Sequence, residues 1–407
     1  MLLSRSRLGV ILLTVFVDLV GFGIVLPILP YYAQQFGAHG LGFGAVVFIY
    51  SAMQFLATAV LGKLSDRWGR RPVILATTLV NAAGYGLFAF AGSYTALFVS
   101  RLISGVAGGN IAAAQAYIAD VTSPVERSRG MGLLGAAFGV GFILGPAIGG
   151  LAGHYGGPAA PGLVAAGLSL VNFVSAYFIL DESLRAEHRV ARGLLDFGHM
   201  REALTRPRLR PLMLIFAIVP FAFSGYMVAL PLHAATAFGW GSREMGWFFT
   251  IVGIVAAVVQ GYVFGQLARR TNDRTIVITA TFGMVAGIAP VPLLGSTAAL
   301  YAWTFVLAFA NSIGGPALTG LISVYSAPLE QGTMLGVAQA FGALGRSAGP
   351  LVMGVLYDGL GARFAFVAAA GFMLCSAVVA LGLEPAPHAV RAAPGRAGGE
   401  GDHVPPA

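Results

Sequence analysis

Apolar stretches of about twenty residues recur along the whole chain, each long enough to cross a ~30 Å hydrocarbon core as a helix. Twelve are expected within the 407 residues: 8–30, 44–64, 72–92, 95–119, 131–153, 162–180, 209–232, 245–267, 275–294, 298–324, 335–356 and 364–383. In lipid a backbone must satisfy its own hydrogen bonds, so an open chain of this kind is expected to be an all-α membrane protein. Composition agrees: 57% of residues are hydrophobic and 10% charged, where a soluble domain carries roughly 25% charged residues. That is too little polar surface to cover a soluble particle.

Other classes are excluded by what the chain lacks. Its one cysteine, Cys375, rules out an internal disulfide and a thiolate metal cluster. The seven histidines never fall at metal-ligand spacing, so no metal is expected. Lys63, the single lysine, is not preceded by the glycine spacing of a phosphate-binding loop, which argues against ATP-driven transport. The first span is too long for a secretory h-region and contains Asp18. No cofactor is expected.

The basic residues set the expected orientation. With the N-terminus inside, 20 of the 24 Lys+Arg lie on inner segments; only Arg243 and Arg363 lie on outer loops, and Arg101 and Arg346 fall within spans. This is a strong positive-inside bias. It predicts a multi-pass protein of the cell (inner) membrane with both termini cytoplasmic, and it accounts for the net charge of +8 without nucleic acid.

The chain turns polar between Asp181 and Arg210, with an amphipathic stretch around Leu194 to Leu204, dividing the spans six and six. Pro124, Glu126, Gly132, Gly141, Gly145 and Pro146 recur 204 residues later as Pro328, Glu330, Gly336, Gly345, Gly349 and Pro350. A fixed-offset repeat implies two similar bundles with a pathway between them. The expected organisation is a first six-helix bundle over 1–180, a cytoplasmic linker over 181–208, a second bundle over 209–383 and a disordered cytoplasmic tail over 384–407.

Between spans two and three lies Gly62-Lys63-Leu64-Ser65-Asp66-Arg67-Trp68-Gly69-Arg70-Arg71. The glycines allow a tight turn, and Asp66 can pair with Arg70 or sit at a helix N-terminus. This segment resembles the G-x-L-x-D-R-x-G-R-R signature of the major facilitator superfamily. The resemblance implies two pseudo-symmetric six-helix bundles, with Gly62, Asp66, Arg67, Gly69, Arg70 and Asp120 in a gate network that holds the cytoplasmic side closed. Span four carries Arg101-Leu102-Ile103-Ser104-Gly105, similar to the family's R-x-x-x-G motif. A guanidinium within a span is costly unless it faces a cavity or a partner; a snorkelling arginine near the helix end is the alternative. Span five, with Gly141, Gly145, Pro146, Gly149 and Gly150, resembles the motif that this family associates with antiporters. Glycines four apart also let helices approach closely.

Asp18 lies mid-span in Phe16-Val17-Asp18-Leu19-Val20-Gly21. A charged carboxylate at the centre of a span costs on the order of 2.5–3.5 kcal/mol, which favours uptake of a proton; an arginine partner or a capping role is the plainer alternative. The segment through Pro27 and Pro30 resembles the first span of tetracycline-type drug:proton antiporters. That resemblance implies proton coupling through Asp18 and Arg101. The acids that tetracycline exporters carry in spans three and nine are missing here, which argues against tetracycline itself and against strongly cationic drugs. Tyr50, Gln54, Gln115, Phe138, Phe223, Tyr226, Gln260, Gln339 and Arg346 are candidate cavity residues.

The expected function is a proton-coupled exporter of small hydrophobic or amphipathic molecules that works by alternating access. It is expected to act as a monomer in the lipid bilayer on a small-molecule substrate and protons, without enzymatic chemistry. A proton symporter importing a metabolite keeps the fold and reverses direction. A transporter-like sensor would need more than the short linker offers.

Overall fold

The computed structural model describes residues 2–122, 124–184, 197–326 and 330–384, and every regular element among them is helical. The first part of the chain forms α1 (Leu2–Val25), α2 (Leu29–Gln35), α3 (Gly40–Trp68), α4 (Arg70–Ala89), α5 (Tyr94–Gly108), α6 (Ile111–Val121), α7 (Pro124–Gly156) and α8 (Ala160–Ile179). After α9 (Phe197–Thr205) come α10 (Arg210–Phe238), α11 (Ser242–Val258), α12 (Phe264–Arg270), α13 (Asp273–Ile288), α14 (Thr297–Tyr325), α15 (Gln331–Leu360) and α16 (Ala362–Leu381). Segment 185–196 of the expected linker and residues 385–407 of the expected tail lie outside the described residues.

Local chemistry explains where the helices begin and stop. The expected first span divides at Pro27, with Pro30 opening α2, because proline cannot donate within a helix but suits its first turn; the two pieces meet at 46°. Gly69 ends α3 and starts α4 with φ of 110°, a value that only glycine adopts freely. Asn272 and Ser296 cap α13 and α14 by accepting from Thr275 N at 2.8 Å and Ala299 N at 3.2 Å. Span four is one straight run in the sequence reading, but the structure interrupts it at Gly109 and Asn110. Span eight carries a π-helical turn at Val259–Val263.

Nine helical runs among the described residues are long and apolar enough to cross a membrane, and the bent α1–α2 pair makes a tenth. The glycine-rich α7 and α15, at 33 and 30 residues, are not among them. A count of twelve crossings requires those two as well.

Two clusters of buried apolar side chains, around Phe366 and Met373 and around Leu212 and Leu321, lie between α9 and α16. Two more, around Phe88 and around Tyr117, belong mainly to α1–α8. Ala203 of α9 is fully buried in the second part. Arg206 just beyond α9 donates to Glu330 at 2.7 Å and also pairs with Glu202. Those hydrogen bonds, Glu330 first, raise the Arg206 pKa above its ordinary value.

The sequence repeat has a structural counterpart. In the first part Gly141, Gly145 and Gly149 lie against Leu19, Gly23 and Ile24 of α1; in the second, Gly345 and Gly349 lie against Ala217 and Phe221 of α10. One face further round, each helix meets the opposite part of the chain. A Cβ on Gly150 of α7 would stand 2.7 Å from Gly246 Cα of α11, and one on Gly354 of α15 would stand 2.8 Å from the Gly40 carbonyl carbon of α3. Asp358 extends the second contact. Its Oδ1 accepts from Gly40 N and its Oδ2 from Leu41 N, both at 2.7 Å, at the positive end of the α3 dipole.

The two parts are thus closed on each other at the Gly40 end. Gly354→Val is expected to force α3 and α15 apart there and abolish transport. Spin labels at His39 and Leu360, both exposed, in a Cys375→Ser background, should report a longer distance by double electron–electron resonance. An unchanged distance distribution refutes the assignment of this contact as the closure.

Candidate functional site

Asp18 lies on α1, half-buried and, among the described residues, without an arginine or lysine partner. Its Oδ2 accepts from Asn110 Nδ2 at 2.5 Å and its Oδ1 from Asn81 Nδ2 at 3.3 Å. Both asparagines are 4% exposed. Asn110 comes within reach because the run from α5 to α6 breaks beside α3: a Cβ on Gly109 would stand 2.7 Å from Thr58 N, so only glycine permits that approach. Asn81 projects from the middle of α4. The plainer reading of Asp18, a structural ion pair, finds no partner among the described residues.

Arg101 is buried at 2% exposure and does not snorkel. Its guanidinium lies 4.9 Å over the Phe88 ring and 5.4 Å over the Tyr85 ring, and Nη2 donates to Ser104 Oγ at 3.3 Å. Cation–π contact is worth ~2 kcal/mol or more when desolvated, so the rings offset part of the burial penalty that an acid would otherwise relieve. Arg101 and Asp18 make no direct contact in the described structure. Tyr50 and Tyr85 lie within electrostatic range of both. Tyr50 stacks on Phe22 of α1 with centroids 4.9 Å apart, one helical turn from Asp18.

The remaining cavity candidates separate. Gln54 is half-buried and donates to Gly108 O at 3.3 Å. Gln115, Gln260 and Gln339 are exposed, and Phe223 is half-buried. Tyr226 is corrected: at 1% exposure, with its ring edge-on to Phe366, it belongs to the apolar core of the second part and lines no opening. The Phe138 side chain lies outside the described residues. Arg346 is exposed at the middle of α15, on the face that continues through Pro350 and Gly354 to Asp358. Pro350 and Gly354 touch α3, whereas Arg346 and Gln339, nearer the start of α15, do not share that cover. On the α3–α15 seam the close backbone contact is at Gly44–Pro350 and Gly40–Gly354, and Arg346 and Gln339, nearer the Gly69 end, are exposed.

At the Gly69 end the expected charge network is assembled. Arg70 pairs with Asp66 at 2.5 Å and Asp120 at 3.2 Å, and donates to Ser65 Oγ at 2.7 Å. Glu182 joins them: it accepts from Arg70 N at 2.8 Å and Arg71 N at 3.3 Å, capping α4. Gly69 is packed against that carboxylate, while Arg67 is exposed. Gly62 sits 3.4 Å, measured from an ideal Cβ, from Ala112 of α6. All of these contacts fall within the first part of the chain. The antiporter-type stripe in α7 is likewise shared: Gly141, Gly145 and Gly149 serve the packing on α1, while Pro146 and Gly150 also meet Gly246 of α11 directly.

Asn81, Asn110, Glu182 and Asp358 were missed in the sequence. Asn81 and Asn110 are polar amides inside expected spans, and the rule that singled out Asp18 applies to them as well. Nothing in the sequence pairs Asp358 with α3, 317 residues away.

The family model of the Major Facilitator Superfamily matches residues 11–299 and 212–405. Tetracycline resistance protein, class C, of Escherichia coli is 33% identical over 364 residues, covering 87% of this chain and 90% of that protein. The crystal structure of the human organic anion transporter MFSD10 (TETRAN) is 26% identical, with a TM-score of 0.70 over 93% of this chain and 99% of its own. A bacterial homolog of the human lysosomal transporter Spinster, in an inward-facing and unoccupied conformation, shares the fold at a TM-score of 0.77 and 14% identity, over 93% and 96% of the two chains. This chain belongs to the major facilitator superfamily: it is a multi-pass membrane transporter, from a family of carriers and not of enzymes.

Arg70→Ala removes three side-chain contacts at once. It is expected to slow turnover by about tenfold, the equivalent of one charge-assisted hydrogen bond of ~1.5 kcal/mol, with substrate affinity nearly unchanged. Arg70→Lys should recover part of the rate but not the forked geometry. Initial rates and equilibrium binding on the same preparation check this; a large affinity loss at normal turnover refutes a gate role.

Proposed function

We propose that this transporter is a proton-coupled exporter of small, hydrophobic or amphipathic molecules, exchanging substrate for protons through Asp18. The observation that carries the reading is a lone, half-buried carboxylate in mid-span, held by two neutral amides instead of a cation. Such a group can change charge without breaking an ion pair. Each unit of pH difference across the membrane supplies ~1.4 kcal/mol per proton. Substrate and proton compete for the state in which Asp18 is ionised, and the halves rock about the site.

The arginine asymmetry puts the Gly69 end in the cytoplasm of a cell with an inner membrane, with both termini inside. Closure at the Gly40 end then corresponds to an inward-facing carrier. Similarity to tetracycline resistance proteins supports export of a foreign molecule. The absence of the further acids in spans three and nine argues for a cargo other than tetracycline. A single chain contains both repeats and so suffices as the transport unit.

One observation favours a second reading. Arg346 stands exposed at mid-span with no acidic partner among the described residues, and the similar MFSD10 is a human organic anion transporter. An acidic cargo pairing with Arg346 would be attracted more strongly when Asp18 is neutral. It would then move together with the proton, as in an uptake symporter.

Asp18→Asn is expected to abolish uphill transport driven by a pH gradient by at least tenfold, while downhill substrate counterflow persists. Proteoliposomes with an imposed gradient measure both. Uphill transport by that variant would sink the coupling assignment, and substrate movement with the proton in the parent would select the symport reading.

A further inference from the structure

The two amides around Asp18 are not equivalent. Asn110 Nδ2 donates at 2.5 Å, and none of its side-chain polar atoms is left buried and unpaired. Asn81 donates more weakly at 3.3 Å, and its Oδ1 is buried with no hydrogen-bond partner. A buried, unsatisfied amide oxygen costs about 1–3 kcal/mol, so its persistence beside the titrating group calls for a second state in which it is satisfied. The protonated form of Asp18 supplies that state. A carboxylic O–H on Oδ1 must donate, and the acceptor beside it is Asn81 Oδ1 once the amide has turned over.

We infer that Asn81 is a positioning residue that registers the proton on Asp18: it donates through Nδ2 to the carboxylate and accepts through Oδ1 from the carboxyl group, while Asn110 remains a fixed donor to Oδ2. The inference rests on the reading that Asp18 carries the coupling proton. No bond other than the carboxyl O–H forms, and that proton comes from water reaching the half-buried Asp18. The titratable and charged groups facing this pair are Tyr50 of α3, Tyr85 of α4 and Arg101 of α5. Among the described residues, α6, α7 and α8 bring no titratable group to it. Tyr85 follows Asn81 by one helical turn and lies under the Arg101 guanidinium. The turning amide therefore sits where a charge change at Asp18 can reach the buried arginine without direct contact.

The two asparagines should behave differently when replaced. Asn110→Leu deletes a donor from the ionised state and is expected to move the midpoint of pH-driven transport toward alkaline pH by about one unit, the scale of one charge-assisted hydrogen bond. Asn81→Leu deletes a partner from both protonation states, so its displacement should be no more than half as large, since hydrogen bonds to the charged form are roughly twice as strong and the Asn81 bond is the longer of the two. Acid-minus-alkaline difference infrared spectra of the protein in liposomes supply a second readout. The parent should show an asparagine side-chain carbonyl band that disappears in Asp18→Asn and in Asn81→Thr, whose hydroxyl still donates and accepts and should keep the parent's midpoint.

An Asn81→Leu midpoint displaced as far as that of Asn110→Leu, or a parent spectrum without the amide band, overturns the inference. If Asn81→Leu does not fold, the parent and Asn81→Thr spectra decide the question alone. Persistence of pH-driven transport in Asp18→Asn would instead overturn the coupling reading, and the amide band would still show whether Asn81 follows the charge on Asp18.

Discussion

Backbone-to-backbone contact between helices is the constraint on which this molecule depends. Lipid offers no hydrophobic force to press helices together, so association relies on close van der Waals approach, which small residues permit. At Gly150 against Gly246 and Gly354 against Gly40 the chains meet with no side chain between them. The same helices turn a second small-residue face toward their own half, on α1 and on α10. A helix gripped by small residues on two sides can release one interface while keeping the other. That is the mechanical requirement of a carrier whose halves must separate at one end at a time.

Charge is distributed so that it does not oppose this motion. The cluster around Arg70 lies within one half and is tied to its own helices by Asp66, Asp120 and Ser65. Asp358 crosses between halves, but it is bound to backbone N–H groups at a helix start and not to a cation. Such a contact makes and breaks without leaving an unpaired basic side chain behind. Inside the membrane, Arg101 is accommodated by ring faces and serine hydroxyls, and Asp18 by amides. Neither neutralises the other in the described structure.

Much of this was legible in the sequence, and for definite reasons. Length and apolarity of spans follow from bilayer thickness, which is why the helices lie close to their expected positions. The 204-residue repeat foretold paired contacts, because equal residues on equal helices meet equal neighbours. Asp66, Arg70 and Asp120 converge as the family resemblance implied. Tyr226 did not follow, because an aromatic residue on a helix has no periodic mark that separates a lining position from a core one. The break at Gly109 and Asn110 was hidden inside an unbroken apolar run. What it does, placing an amide on Asp18, depends on three helices at once.

The sequence by itself determined the helical class, the twofold repeat and the presence of one acid and two arginines away from the ends of the apolar spans, because these follow from local hydropathy and from residue identity. Only the tertiary structure decided which neutral groups surround Asp18, that Arg101 rests on aromatic rings, and which end of the molecule is shut. Those outcomes depend on distances between helices far apart along the chain, and such distances are fixed by packing, where one glycine in the right register counts for more than the composition of a whole span.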